Sequence, residues 1–178
     1  MPKLQTVHVR VNDAATGQPT PCRMRVTDTD GKYFAPLGRL TQFDTTSHHD
    51  IGGNVQIERE SFAYIDGACE INLPSGSLHF EIHKGPEYSS LFQKVDLPPG
   101  KLALRLQIQR WIDLPKLGWY SGDTRAHHLS PHAALLEAQA EDIHVVNLLA
   151  TESQGRGPHG EVVPFISNIL ALDRKSVV

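Results

Sequence analysis

The densest run of chemically active side chains is the stretch GWYSGDTRAHHLSP. It holds a carboxylate at Asp123, a guanidinium at Arg125 and two adjacent imidazoles at His127 and His128. A second carboxylate, Glu152, follows an apolar run farther along the chain. Imidazole and carboxylate groups together are ligands that zinc and other divalent ions take from proteins. These residue types therefore predict a metal site, with His127, His128 and Glu152 as the candidate ligands.

Arg125 suggests a different chemistry, because a planar guanidinium can clamp a phosphate or a carboxylate with two hydrogen bonds. We therefore assign Arg125 as a candidate substrate clamp and Asp123 as a candidate catalytic residue. Each assignment has an ordinary alternative. Arg125 could pair with Asp123 and have no catalytic role, and Asp123 could accept hydrogen bonds from amides at a helix start. The two histidines could be loop residues whose ring nitrogens bond to the backbone.

A strand, a helix and a second strand must position these residues. Residues 118–125 read as a strand that ends in polar side chains. Ser130 offers an N-cap oxygen and Pro131 suits the first helical position, so that a helix is predicted over residues 132–141. Residues 143–150 are mostly apolar, which is typical of a parallel strand covered on both faces. In such a βαβ unit both strands end at the same edge, where the candidate ligands should converge.

The first hundred residues have the period of a β-sandwich. Apolar and polar side chains alternate in segments such as VHVRV, which directs one face of each strand into the core. Turn residues separate these segments, and Asp66-Gly67 predicts a hairpin that joins residues 62–65 to residues 68–73. About seven short strands with frequent turns predict an antiparallel β-sandwich. The fold class expected for the chain is therefore mainly β plus α/β.

The polar stretch resembles the opening motif of the PHP (polymerase and histidinol phosphatase) superfamily, especially its CehA/McbA-type metallohydrolases. Those proteins commonly read Gly-Asp-x-His-x-His at the end of the first barrel strand, often after an aromatic pair. Residues 122–124 match this pattern, His127 falls on the second histidine position, and Arg125 occupies the first. The family's next motif, Thr-Asp-His, corresponds to residues 151–153, which read Thr-Glu-Ser and retain a carboxylate without the histidine.

The resemblance implies a protein in two parts. Residues 1–110 would form a β-sandwich (Ig-like or regulatory-like), and residues 111–178 the truncated start, a βαβ portion, of a PHP-like β/α barrel. The implied activity is metal-dependent hydrolysis of a phosphoester, amide or related bond in a small molecule, with zinc, manganese or iron as the divalent metal. A β/α barrel takes about 250 residues. We therefore expect the rest of the barrel to be missing from this chain, which should be inactive alone and need not hold a metal.

The composition excludes several classes of function. A formal net charge of -3 over 178 residues lacks the basic footprint of a nucleic-acid-binding protein. The sequence contains no run of about 18 apolar residues, which is the length that a membrane-spanning helix needs. The two cysteines are too few for a disulfide framework or a four-cysteine zinc site. The start of the chain has no apolar segment of signal-peptide type, so we expect a cytoplasmic location and neither a nucleic-acid nor a membrane partner.

Two further hypotheses remain open. In one, the sandwich is a non-catalytic binding or assembly module, attached to a degenerate barrel that has lost its ligands at Arg125 and Ser153. Its useful surface would be a carbohydrate- or peptide-binding face. Trp111, Trp119 and Tyr120 could supply a sugar platform, although their place at the domain junction favours inter-domain packing. In the other, the last part of the chain forms a small α/β cap on the sandwich.

Overall fold

The computed structural model describes residues 3–39, 53–126 and 129–149, together with the backbone of residues 152–156 and 162–166. The strands of its first part are β1 (Leu4–Asp13), β2 (Cys22–Asp28), β3 (Asn54–Ile57), β4 (Glu60–Ile65), β5 (Ala68–Pro74), β6 (Gly76–His83), β7 (Tyr88–Ser89), β8 (Leu91–Leu97) and β9 (Ala103–Arg110). The later elements are a 3-10 helix (Pro115–Leu117), β10 (Gly122–Ala126), α1 (Pro131–Ala140), β11 (Val145–Leu148), β12 (Glu152–Arg156) and β13 (Val162–Ile166).

The first nine strands form two sheets around a shared core. The sheet orders are β5-β1-β9-β7 and β3-β4-β2-β6-β8. The alternation predicted from the sequence is present, because every second side chain of β1, β2, β6 and β9 is buried. The two sheets contribute jointly to one apolar cluster, whose largest fully buried members include Phe80, Met24, Ile71, Leu73 and Leu78. The prediction of a mainly β chain is therefore confirmed.

Two predictions about strand pairing were wrong. The sandwich is not wholly antiparallel, because β1 runs parallel to β9. The turn at Asp66-Gly67 does not close a hairpin either, since β4 and β5 belong to different sheets. Gly67 has a φ of 103°, and a Cβ there would lie 2.7 Å from the backbone nitrogen of Thr20. The turn therefore packs closely against the loop before β2, at the point where the chain passes from one sheet to the other. A two-residue turn motif does not show which sheet the next strand joins.

The predicted βαβ unit is present in the second part of the chain. β10 and β11 pair in parallel, with Gly122 opposite Val145 and Ala126 opposite Leu148. The connection between them contains α1, whose N-cap Ser130 accepts a hydrogen bond at its Oγ from the third helical residue. The strands are shorter than predicted, because the 3-10 helix and its left-handed C-cap precede β10.

The chain then departs from the layout of a β/α barrel. After its second parallel strand such a barrel would continue with a helix, whereas β12 and β13 here form an antiparallel pair. None of the sheets formed by the described strands closes into a barrel. The βαβ unit is compatible with the expected start of a PHP-like barrel. The antiparallel pair of β12 and β13 does not continue the alternation of strands and helices that a barrel requires. Within the described residues, no helix has the length and apolar character needed to cross a bilayer.

A buried carboxylate at the end of β1 predicts a pH-dependent stability. Asp13 accepts hydrogen bonds from the Tyr88 hydroxyl at 2.9 Å and from the amides of Ala15 and Thr16 at 2.8 and 3.0 Å. Burial opposes ionisation, but these hydrogen bonds outweigh it and hold the pKa of Asp13 below its ordinary value of 3.8. Ionised Asp13 therefore stabilises the fold above a pH of about 3.8, and this contribution is lost as the pH falls through the folded-state pKa.

We expect Asp13→Asn to lower the free energy of unfolding at neutral pH, and the deficit to shrink as the solution is acidified. Urea unfolding of both proteins over a series of pH values measures this difference, and the other carboxylates cancel in the comparison. A deficit that stays constant from neutral pH to below about 3 would contradict the assignment.

Candidate functional site

The structure places two of the predicted site residues on β10. The side chains of Asp123 and Arg125 are both exposed on this strand. Asp123 Oδ1 accepts a hydrogen bond from the backbone N–H of Arg125 at 2.9 Å. The pairing register with β11 shifts between Asp123 and Ala126. Such irregularities turn side chains at the ends of strands, and they are frequent beside active sites. Asp123 does accept an amide hydrogen bond, as its ordinary interpretation predicts, although within a strand rather than at a helix start.

The other three predicted ligands are only partly covered. His127 and His128 lie outside the described residues. Glu152 is the first residue of β12 rather than a loop residue, and only its backbone is described. Their assignment as metal ligands therefore stays a prediction. The structure does show where the two strands before these residues end. Ala126 and Leu148 are opposite each other at the end of the parallel pair.

The described residues by themselves do not make a metal site. Among them, no three His, Cys, Asp or Glu side chains come together in a way that could hold an ion. Asp123 is the one predicted site carboxylate whose side chain is described, and its Oδ1 is already engaged by an amide. A metal at this edge would consequently depend on His127, His128 and Glu152.

Sequence reasoning missed a polar junction between the sandwich and α1. The helix lies against β2 and β4 on the five-stranded sheet. Glu141, its C-cap residue, forms an ion pair with Arg23 at 2.7 Å and accepts a hydrogen bond from the Tyr64 hydroxyl at 3.0 Å. The interaction with Glu141 contributes, after burial, to the raised pKa of Tyr64. These contacts join the βαβ unit to the sandwich through directed polar groups.

Lys84 completes this junction from the loop after β6. It is 6% exposed, and its Nζ donates hydrogen bonds to the carbonyl oxygen of Pro21 at 2.9 Å and to that of Gln139. A cation at the C-terminal end of a helix is favoured by the helix dipole and can donate a hydrogen bond to one of the last carbonyl oxygens. Burial lowers the pKa of Lys84, opposed in part by nearby Asp142. Lys84 thus ties the end of α1 to the sandwich.

Arg110, at the end of β9, forms the second half of the junction. Its guanidinium donates to Glu87, which is 3% exposed, and to Asp142 Oδ1 at 2.9 Å. The Glu87 carboxylate also accepts the backbone N–H of Leu114 at 3.0 Å. The two carboxylates are separated from Arg110 by 23 and 32 residues. No local pattern in the sequence signals such distant partners, and this is why the junction was not predicted.

An open cleft of about 470 Å³ runs beside the junction, lined by residues of both parts. Lys84 and Tyr88 contribute from the sandwich, and Gln139, Asp142 and His144 contribute from the βαβ unit. Two of its polar groups have partners within the protein, because the Tyr88 hydroxyl donates to Asp13 and Lys84 donates to two backbone carbonyls. The cleft therefore has the chemistry of a structural junction.

The aromatic residues at the boundary are not packed between the two parts. Trp111, Trp119 and Tyr120 are 64%, 71% and 67% exposed. The Trp111 indole donates a hydrogen bond to the Pro86 carbonyl, and the Tyr120 ring lies edge-on to His144 at 5.5 Å. The expectation of inter-domain packing for these rings was therefore wrong.

Comparison with known proteins adds no relative. No protein-family model matches the chain, and neither the curated proteins nor the solved structures include a match. The functional argument therefore depends on the residues themselves and on the motif resemblance.

Proposed function

We propose that this chain supplies the sandwich and the opening βαβ unit of a PHP-like metal-dependent hydrolase that acts on a phosphoester, amide or related bond. The observation that carries the proposal is the parallel pairing of β10 with β11. Because Ala126 is opposite Leu148, β10 and β11 end at the same edge of the sheet. In the sequence His127 directly follows the first strand, and Glu152 comes shortly after the second. In parallel α/β folds this edge, at the carboxyl ends of the strands, is where catalytic residues are found.

The exposure of the βαβ unit is also in keeping with the proposal. α1 packs against β11, while Val145 on that strand is 62% exposed. An apolar side chain with so much exposure on a parallel strand is unusual, because such strands normally have both faces covered. In a β/α barrel this face would belong to the packed interior.

Each candidate residue has a role in this proposal. His127, with His128 and Glu152, would hold a divalent zinc, manganese or iron ion. Such an ion lowers the pKa of a bound water and polarises the oxygen of the bond to be cleaved. Arg125 is exposed at the same end of β10 and would bind an anionic group of the substrate. Asp123, bonded to the backbone of Arg125, would hold that strand end in place.

Metal analysis tests the proposal. After loading with manganese or zinc and gel filtration, we expect His127→Ala to retain much less metal than the wild-type chain. His132→Ala is the matched control, because His132 is an exposed residue of α1 outside the motif. Arg125→His restores the imidazole that the family pattern has at that position, and should raise the metal content. Metal retained equally by all four proteins would overturn the assignment of His127 as a ligand, and an Arg125→His chain that still takes up no metal would overturn the family pattern at this site.

The second candidate function is a non-catalytic binding module. It is favoured by the exposed arginine at the first histidine position and by the lack of a three-ligand group among the described residues. This candidate predicts that Arg125→His acquires no metal. Unchanged ligand binding after Arg125→Ala would remove the substrate-clamp role in either case.

A further inference from the structure

The outer face of the five-stranded sheet carries a cavity that is separate from the βαβ strand ends. Its volume is about 310 Å³, and its lining comes from β2, β6 and β8. Side chains with binding chemistry surround it: Arg25, Thr27, His79, Glu81, Phe92 and Lys94. These strands belong to the sandwich, so the cavity does not depend on how the βαβ unit is completed.

The strand register sets these side chains in two adjacent rows. In one row Glu81 of β6 lies between Arg25 of β2 and Phe92 of β8. In the next row His79 is opposite Lys94 on one side. Cross-strand neighbours on one face have their Cβ atoms about 5 Å apart. This register places a cation, an imidazole and an aromatic ring next to one another on the outer face of the sheet.

The charges of the cavity are only partly balanced within the sheet. Arg25 is paired with Glu60 at 3.1 Å and lies 3.8 Å from a Glu81 oxygen. The other oxygen of Glu81 is 2.8 Å from His83 Nε2. By contrast, within the described part of the chain Lys94 has no ion-pair partner. Its ammonium group is therefore available to an anionic ligand, whereas Arg25 is already engaged.

Phe92 gives the cavity an apolar wall. Its side chain is 70% exposed, although it lies on the solvent-facing side of an edge strand among charged residues. The ring is positioned by an edge-on contact with His83, with 5.6 Å between ring centroids. His83 is itself held by Glu81 and by the Ser90 hydroxyl at 2.8 Å. A fixed and exposed ring offers a flat apolar surface on which the C–H face of a pyranose can pack.

We propose that this face of the sandwich binds an acidic oligosaccharide, with a uronate ring packed on Phe92 and its carboxylate paired with Lys94 beside His79. The two requirements select for one class of ligand. A neutral sugar would use the aromatic surface and leave the lysine unpaired, and a simple anion would use the lysine and leave the ring exposed. The inference is independent of the hydrolase proposal, because none of these residues belongs to the βαβ unit.

Titration calorimetry of the full chain with tri-galacturonate at low ionic strength tests this inference. We expect binding that is at least about tenfold weaker for Phe92→Ala and for Lys94→Met, while Phe92→Tyr retains it. Leu102→Ala and Lys101→Met are matched controls, because they remove an exposed apolar side chain and an exposed cation elsewhere and should bind as the wild type does. All four substituted side chains lie at the surface, and a thermal melt of each of the five variants verifies that it is folded.

Three outcomes would overturn the inference. They are the absence of binding at millimolar tri-galacturonate, equal binding of neutral maltotriose, and wild-type affinity in both Phe92→Ala and Lys94→Met. Because metal content is not part of this experiment, its failure leaves the hydrolase proposal untouched, and failure of the metal analysis leaves this inference untouched.

Discussion

Replacement of Arg110 by alanine is expected to lower the free energy of unfolding by about 3–5 kcal/mol. Arg110 donates to Glu87 and Asp142, and Glu87 is 3% exposed. Without the guanidinium the buried Glu87 carboxylate loses its ion-pair partner, and Asp142 keeps only the Coulombic attraction of Lys84. A buried charge that loses its partner costs more than the intact pair contributes, because the desolvation penalty is no longer offset.

Urea unfolding measures this effect, and the chain offers a matched control. Lys116→Ala removes an ion pair with Asp113 in which the lysine side chain is 81% exposed, and we expect a far smaller change there. Adding Glu87→Gln to Arg110→Ala removes one of the stranded charges and should recover part of the lost stability. If Arg110→Ala unfolds at the same urea concentration as Lys116→Ala, the junction does not hold the fold together as described.

Gly85→Ala is expected to cost about 2–4 kcal/mol, through a steric conflict added to backbone strain. Gly85 follows Lys84 and has a φ of 56°. A Cβ at this position would lie 2.2 Å from the carbonyl oxygen of Glu141, the C-cap residue of α1. The oxygen is part of the backbone and cannot rotate away, so the end of the helix must move off the sandwich.

Gly17→Ala separates the two contributions. Gly17 has a comparable φ of 68°, but nothing lies within 4 Å of its Cβ position. It should therefore show the backbone strain alone, about 1–2 kcal/mol. Hydrogen exchange supplies a second measurement, since the amides of α1 should exchange faster in Gly85→Ala and not in Gly17→Ala. Equal stability loss and unchanged α1 exchange in the two variants would contradict the close packing of α1 on the sandwich.

The sequence identified which residue types belong to the candidate site, but it did not establish how they come together. The polar stretch identified Asp123 and Arg125, and both lie exposed on a strand that pairs in parallel, as the βαβ prediction required. Whether the histidines and Glu152 join them stays a prediction. Glu152 was expected in a loop and instead begins a strand, because residues 152–156 pair with a later segment that lacks a distinctive pattern of its own.

The local structure of the chain could be predicted from its residues alone. Alternating apolar residues specify the β-strands, and the Ser130-Pro131 pair specifies the start of α1, because each preference arises from neighbours in the chain. The pairing of the strands, the crossing of the chain between sheets at Gly67 and the two carboxylate partners of Arg110 depend on the three-dimensional fold. Such contacts join segments tens of residues apart. Their energy depends on burial and distance in three dimensions, and neither quantity is encoded in the spacing of residues along the chain.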